Sequence, residues 1–278
     1  MRGAYNKIAS LNDEERSRGV ITYSSGNHAQ GVAYAARALA TKAVIVMPRN
    51  APAIKREATA ALGAEIVFVG PSGVERQEKA EELAEQRGYV IIPPYDDEKI
   101  IAGQGTAGLE ILEDLPEVDL VLVPIGGGGL ISGISTAIKL SKPNVKVVGV
   151  EPELAADAQA SFRAGEIVKF PPEQVLSTSA DGLRSQYVGT ITFEHIRRYV
   201  DDVVTVSEED IFSAVRVLAK NPKTTAEPSG AVAPAAWLFH GDALPASNAA
   251  VAVISGGNVD PEILKKALSS DRATLTSR

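Results

Sequence analysis

Short apolar runs alternate with segments of helical period along most of this chain. Val20-Ile-Thr-Tyr23, Ala43-Val-Ile-Val-Met47, Glu65-Ile-Val-Phe-Val69 and Val90-Ile-Ile92 predict strands. Helices fall between them: His28 to Ala40, Ala53 to Leu62 opened by Pro52, and the strongly charged Val74 to Arg87. Strands and helices in this order imply right-handed crossovers and a parallel sheet covered on both faces. Upstream, Ala4, Ile8 and Leu11 recur at helical spacing, and the charged run Asp13 to Arg18 stops at Gly19.

The alternation resumes downstream. Ile100 to Glu113 reads as a helix despite Gly103, Gly105 and Gly108, three small residues that point to close packing. Asp119 to Ile125 and Lys146 to Val150 are strands on either side of the helix-like Leu130 to Lys139. Further helices are predicted over Ala155 to Ala164, Phe193 to Tyr199, Glu208 to Leu218 and an Ala-rich run from Glu227-Pro-Ser-Gly230 through His240. Val203 to Val206 reads as a strand, Ala249 to Ile254 as a buried strand, and Gly165 to Leu183 as irregular. The turn cluster Pro93-Pro-Tyr-Asp-Asp97 marks the crossing between two lobes. The expected fold is therefore α/β with two lobes, each an open, mostly parallel twisted sheet flanked by helices. A small domain would cover 19–96, and 1–18 plus 97–278 would form a large one.

The chain is organised around Gly126, Gly127, Gly128 and Gly129, which lie between a buried strand and a helix. Four glycines remove every Cβ at that turn, so several backbone N–H groups can converge on one anion beside the helix N-terminus. A flexible loop is the alternative, but a two- or three-residue turn does not need four glycines. A second strand-to-helix turn, Ser24-Ser-Gly-Asn27 before His28, carries hydroxyls and an amide; read alone, it is ordinary N-capping.

Composition narrows the class. The 278 residues are 45% hydrophobic and 23% charged, as in soluble globular chains, and the net charge of −7 disfavours a binder of nucleic acid. With no cysteine, disulfides, thiolate nucleophiles and Cys-ligated zinc are excluded, and a reducing cytoplasm is the expected setting. No apolar run approaches the roughly 18 residues of a membrane span, so no membrane partner is expected.

Generic motifs fail on spacing. No glycine triplet fits GxGxxG, because Gly127 and Gly129 are followed by Ser132; with Glu151 at the strand end, a nicotinamide-dependent dehydrogenase remains a remote alternative. Gly129-Leu-Ile-Ser-Gly133 is one residue out of register for a nucleophile elbow, and His28, His195 and His240 form no HExxH. Glu151 and Asp157 could meet around a hard divalent cation with a carbonyl between them, although spacing alone favours a solvated acidic turn opening the helix Ala155 to Ala164.

In combination, RGAYNKI, SSGNHAQG, PPYDDEKIIAGQGTAGLEIL, GGGGLISGI, VGVEPELAAD and SGGN resemble the pyridoxal-phosphate (PLP) enzymes of fold type II. The resemblance, which covers nearly the whole chain, is to the serine/threonine dehydratase and serine racemase branch, and implies a tryptophan-synthase-β-like fold. It implies that Gly126 to Gly129 hold the cofactor phosphate, that Ser24, Ser25, Gly26, Asn27 and His28 lie beside the substrate, and that Asn27 also meets the cofactor. Ser255 would hydrogen-bond the pyridine nitrogen, and Ser25 would be the base on the face opposite the lysine. Glu151, Asp157 and the Ala155 carbonyl would bind Mg²⁺ or Ca²⁺. The activity implied is dehydration and deamination of L-threonine or L-serine to a 2-oxo acid and ammonia, with or without serine racemisation.

One departure stands out. The family carries its Schiff-base lysine in an SFKxRGA motif, and this sequence begins at Met1-Arg-Gly-Ala4. The resemblance thus places the lysine just before the first residue, and expects several dozen residues, including part of the large lobe's sheet, before that. Lys7 and Lys55 are not substitutes: one lies further along the first helix, the other in the small lobe. A truncated pseudoenzyme binding PLP weakly or not at all is the alternative reading, and an incompletely covered large lobe implies a homodimer or higher homo-oligomer.

Overall fold

The computed structural model describes residues 1–24, 26–70, 72–221 and 223–269. By packing, these divide into two compact units, Met1–Gly103 and Gln104–Arg278. The first contains α1 (Arg2–Ala9), α2 (Asp13–Arg18), β1 (Val20–Tyr23), α3 (Asn27–Ala38), β2 (Ala43–Pro48), α4 (Ala53–Ala61), β3 (Glu65–Val69), α5 (Gly73–Arg87) and β4 (Val90–Ile91). Helix α6 (Glu98–Asp114) begins here and ends in the second unit.

The strands of the first unit form a parallel sheet in the order β3-β2-β1-β4. Apolar side chains on both faces pack against helices, and side-chain alternation separates the two sets. Val20, Ala43, Ile45 and Met47 pack with Ala4, Ile8 and Val32 of α1 and α3, whereas Ile21, Val44 and Val46 pack with Ala80 and Leu83 of α5. Residues 1–18, expected with the large domain, therefore pack in the first unit: a Cβ on Gly31 of α3 would fall 3.3 Å from the Met1 backbone, and one on Gly103 would fall 2.6 Å from Gly3 Cα. The acidic-to-basic run 13–18 is a helix of its own, started by a capping box between Asn12 and Glu15.

The second unit contains β5 (Leu120–Pro124), α7 (Gly129–Ser141), β6 (Lys146–Pro152), α8 (Asp157–Ala164), the single turn α9 (Pro172–Val175), α10 (Thr190–Tyr199), β7 (Asp202–Val206), α11 (Glu208–Leu218), α12 (Pro228–Phe239), β8 (Ala250–Ala252) and α13 (Pro261–Ser269). Its sheet is also parallel, in the order β7-β6-β5-β8. Leu120, Leu122, Val148 and Val150 face α11 and α12; Val121, Val123 and Val147 face Ile131, Ile134 and Ile138 of α7. Gly105 and Gly108 let α6 approach α7, since a Cβ on Gly108 would meet Ile134 O at 2.8 Å.

Two details differ from the sequence reading. The last strand is only three residues long and half-buried, with Ile254 38% exposed, because β8 is the sheet edge and pairs with β5 alone. Helix α13 was not expected; it packs on α11, where Arg216 Nε donates to Ala267 O at 2.7 Å. Among the described residues no helix is long and apolar enough to cross a membrane.

Candidate functional site

The glycine run occupies the turn from β5 to α7. Gly128, the N-cap of α7, has φ +93°, where side chains are strained, and a Cβ there would lie 2.9 Å from Thr192 Cβ and Oγ1. A Cβ on Gly126 would fall 3.2 Å from Leu183 Cα and 3.3 Å from Gly182 O. Glycine is thus required at Gly128, and at Gly126 a Cβ would make its neighbours give way by a few tenths of an ångström. The Gly127 carbonyl accepts from Thr192 Oγ1 at 2.8 Å and from Gly189 N at 3.3 Å. The described peptides are trans, so fixing that carbonyl toward α10 turns the Gly128 N–H the opposite way, away from α10. The first N–H groups of α7 have no partner within the helix. The result is a rigid cradle of donors at the end of a 13-residue helix, suited to an anionic group of fixed shape.

Ser255 follows β8, and its Oγ makes a long, 3.5 Å bond to Ser229 O at the start of α12. Its loop is seated against that helix: Glu227 N donates to Gly256 O at 3.1 Å, and a Cβ on Gly230 would fall 2.2 Å from the same oxygen.

In the first unit, Ser24 N donates to Val46 O at 3.1 Å and Ser24 Oγ accepts from Gly26 N at 3.3 Å. The N-cap of α3 is Gly26, which has no side chain, so capping by Ser or Asn does not explain the polar residues here. Asn27 and His28 open α3. His28 Nε2 lies 3.2 Å from Ile92 O, and burial lowers its pKa to about 4, which makes it neutral at pH 7 with its proton on Nε2. Ser25 lies outside the described residues. Lys55 of α4 is only 2% exposed, and its Nζ is 3.8 Å from where a Cβ on Gly26 would stand. Lys7 is held by Asp97, Nζ to Oδ2 2.6 Å.

The acidic turn from β6 to α8 is not solvated. Glu151 and Asp157 are each 0% exposed, and Ala155 between them is also buried. Glu151 Oε1 accepts from Ala158 N at 3.0 Å and Oε2 from Gln159 N at 2.7 Å, so the first turn of α8 holds this carboxylate. Neither Asp157 oxygen has a hydrogen-bond partner. Burial raises both carboxyls, Glu151 well above its ordinary value with the Asp157 charge adding to the effect, and Asp157 to about 8. The Asp157 and Val188 backbone N–H groups oppose the Asp157 shift without reaching hydrogen-bonding geometry. Two buried carboxylates, one of them orphaned, suit a hard cation. No group of three His, Cys, Asp or Glu that could hold a metal occurs among the described residues.

Sequence reasoning missed Thr192, Gly182 and Ser229, which brace the glycine and serine loops. Thr192 lies 65 residues from the carbonyl it fixes, and Gly182 in a stretch read as irregular. No local pattern marks them.

Residues 1–256 match the family described as "Pyridoxal-phosphate dependent enzyme". The chain is 47% identical over 269 residues to an L-threonine ammonia-lyase of Thermotoga maritima, covering 97% of this chain and 66% of that protein. It is 43% identical over 259 residues to an L-threo-3-hydroxyaspartate ammonia-lyase of Saccharomyces cerevisiae, covering 93% and 78%. Among solved structures it resembles maize serine racemase, with a TM-score of 0.90 at 40% identity, covering 96% of this chain and 81% of the other.

Proposed function

The chain belongs to the pyridoxal-phosphate-dependent enzyme family, and we propose that it carries the binding machinery of an ammonia-lyase converting L-threonine or L-serine to a 2-oxo acid and ammonia. The observation that carries the reading is the braced glycine cradle at the C-terminal end of β5, where an open parallel sheet offers its ligand site. The family match and the ammonia-lyase relatives favour it over a pseudoenzyme, and leave the dehydrogenase alternative without support.

When bound, the cofactor supplies an electron sink for charge left at the substrate α-carbon. The chain's residues do the rest of the work assigned here. Gly126 to Gly129 hold the phosphate through N–H groups, and Ser255 meets the ring nitrogen. A hydroxyl, unlike a carboxylate, cannot keep that nitrogen protonated, so less charge is drawn into the ring and loss of a β-hydroxyl is favoured. Ser24, Gly26, Asn27 and neutral His28 take the substrate carboxylate at the N-terminus of α3, and Ser25 handles the α-proton on one face. Lys7, paired with Asp97, is not the anchoring amine.

The reading extends to a Mg²⁺ or Ca²⁺ ion on Glu151, Asp157 and the Ala155 carbonyl, supported by the orphaned Asp157 carboxylate. A cytoplasmic setting and a homo-oligomer complete it; the lack of cysteine supports the first, and light scattering tests the second.

The test is formation of 2-oxobutanoate or pyruvate from L-threonine or L-serine with added PLP. A protein in which a lysine anchors the cofactor should form 2-oxo acid at least about 10²-fold faster than free PLP, the usual contribution of a positioned base. No gain over free PLP overturns the proposal.

A further inference from the structure

We propose that Ser229 is a positioning residue that sets the separation between the phosphate cradle and the serine that meets the cofactor ring. The inference rests on the cofactor reading given above and deepens it. Ser229 is 2% exposed, in the first turn of α12, and serves two walls at once. Its Oγ accepts from Gly182 N at 2.8 Å, and the turn Asp181–Leu183 is the one pressed against Gly126. Its carbonyl accepts from Ser255 Oγ at 3.5 Å.

Two further contacts make the arrangement stiff. Gly182 is held close to Ser229, since a Cβ on it would lie 3.0 Å from Ser229 Oγ, and the loop after Ser255 is docked on α12 through Glu227 N and Gly230. One helical turn thereby links the residues touching Gly126 to the hydroxyl at the other end of the cofactor. The 3.5 Å bond from Ser255 is weak. Its proton can therefore turn from the Ser229 carbonyl to a ring nitrogen at little cost, while the Ser229 backbone keeps the hydroxyl in place.

The phosphate cradle has an independent brace in Thr192, which holds the Gly127 carbonyl without Ser229. Removing the Ser229 hydroxyl should accordingly spare the binding of a small anion and weaken a ligand that must reach both walls. The experiment titrates the chain and Ser229→Ala with inorganic phosphate and with PLP, followed by calorimetry and PLP absorbance, alongside hydrogen exchange at the Gly182 amide. The expected result is phosphate affinity within twofold of the parent, PLP affinity at least about fivefold weaker, and faster Gly182 exchange, as for loss of one buried hydrogen bond. Ser229→Cys, which keeps the size but only a weak acceptor, should fall between the two and replaces the alanine variant if that variant does not fold.

Unchanged PLP affinity overturns the inference, as does a parallel loss of phosphate and PLP, which would make Ser229 a support of the phosphate wall alone. A parent chain that binds phosphate and no PLP removes the cofactor reading itself, and this inference with it.

Discussion

The turns after β5 and β6 leave neighbouring parallel strands of one sheet and both run to a helix N-terminus, yet they carry opposite chemistry. The first offers only backbone N–H groups, its Gly127 carbonyl being held by Thr192 Oγ1 and Gly189 N, and carries no charged side chain. The second buries two carboxylates. The difference teaches what a helix start does unaided. Its free N–H groups already favour an anion, so glycines and a brace suffice after β5. A cation has to overcome the same field. After β6, Glu151 absorbs it by accepting from Ala158 and Gln159, and neither Asp157 oxygen has a hydrogen-bond partner.

The largest effect should come from filling the anion turn. Gly128→Val places a branched side chain at φ +93° and against Thr192, and should reduce PLP binding beyond detection in an absorbance titration. Binding at parental affinity would separate the phosphate from this loop.

Next comes the cation. Mg²⁺ or Ca²⁺ at 100 times its Kd should stabilise the native chain by about 2.7 kcal/mol and raise the melting temperature. Asp157→Asn should abolish the rise; an equal rise in both proteins would place the ion elsewhere.

The metal-free protein gives a pH test of the same turn. Asp157 holds its proton more tightly folded than unfolded, so native stability is greatest below the unfolded carboxylate range and is lost as pH rises toward about 8. Denaturation in the presence of a chelator should show stability falling from about pH 4 to about pH 8, with a shallower fall in Asp157→Asn. His28 acts in the opposite sense: it stays neutral when folded, so its contribution is lost as pH falls from its unfolded value toward about 4. A slope unchanged by Asp157→Asn would contradict the buried acid.

The smallest effect is expected from the brace. Thr192→Val removes one hydroxyl contact to Gly127, about 1 kcal/mol, and should weaken inorganic phosphate about fivefold by calorimetry. No change would mean that the glycine loop holds its shape without α10.

The same contrast explains what was legible in the sequence. Four glycines after an apolar run announce their turn, because the removal of side chains is itself written in the sequence. Glu151 and Asp157 do not, since an acidic turn in water and a buried pair share one spacing, and only burial tells them apart. The alternating runs gave both parallel sheets, but not the exposure of β8, which depends on strand order, nor α13, held by the distant Arg216. Thr192 and Ser229 were invisible because each acts across 26 or more residues.

The most direct measurement is the phosphorus resonance of PLP bound to the chain, followed by NMR as a function of pH. A phosphate enclosed by the N–H groups of residues 126–129 is held as the dianion, so its resonance should stay constant from about pH 5.5 to 8, whereas free PLP titrates near about 6. A resonance that titrates like free PLP under saturating protein would contradict the account.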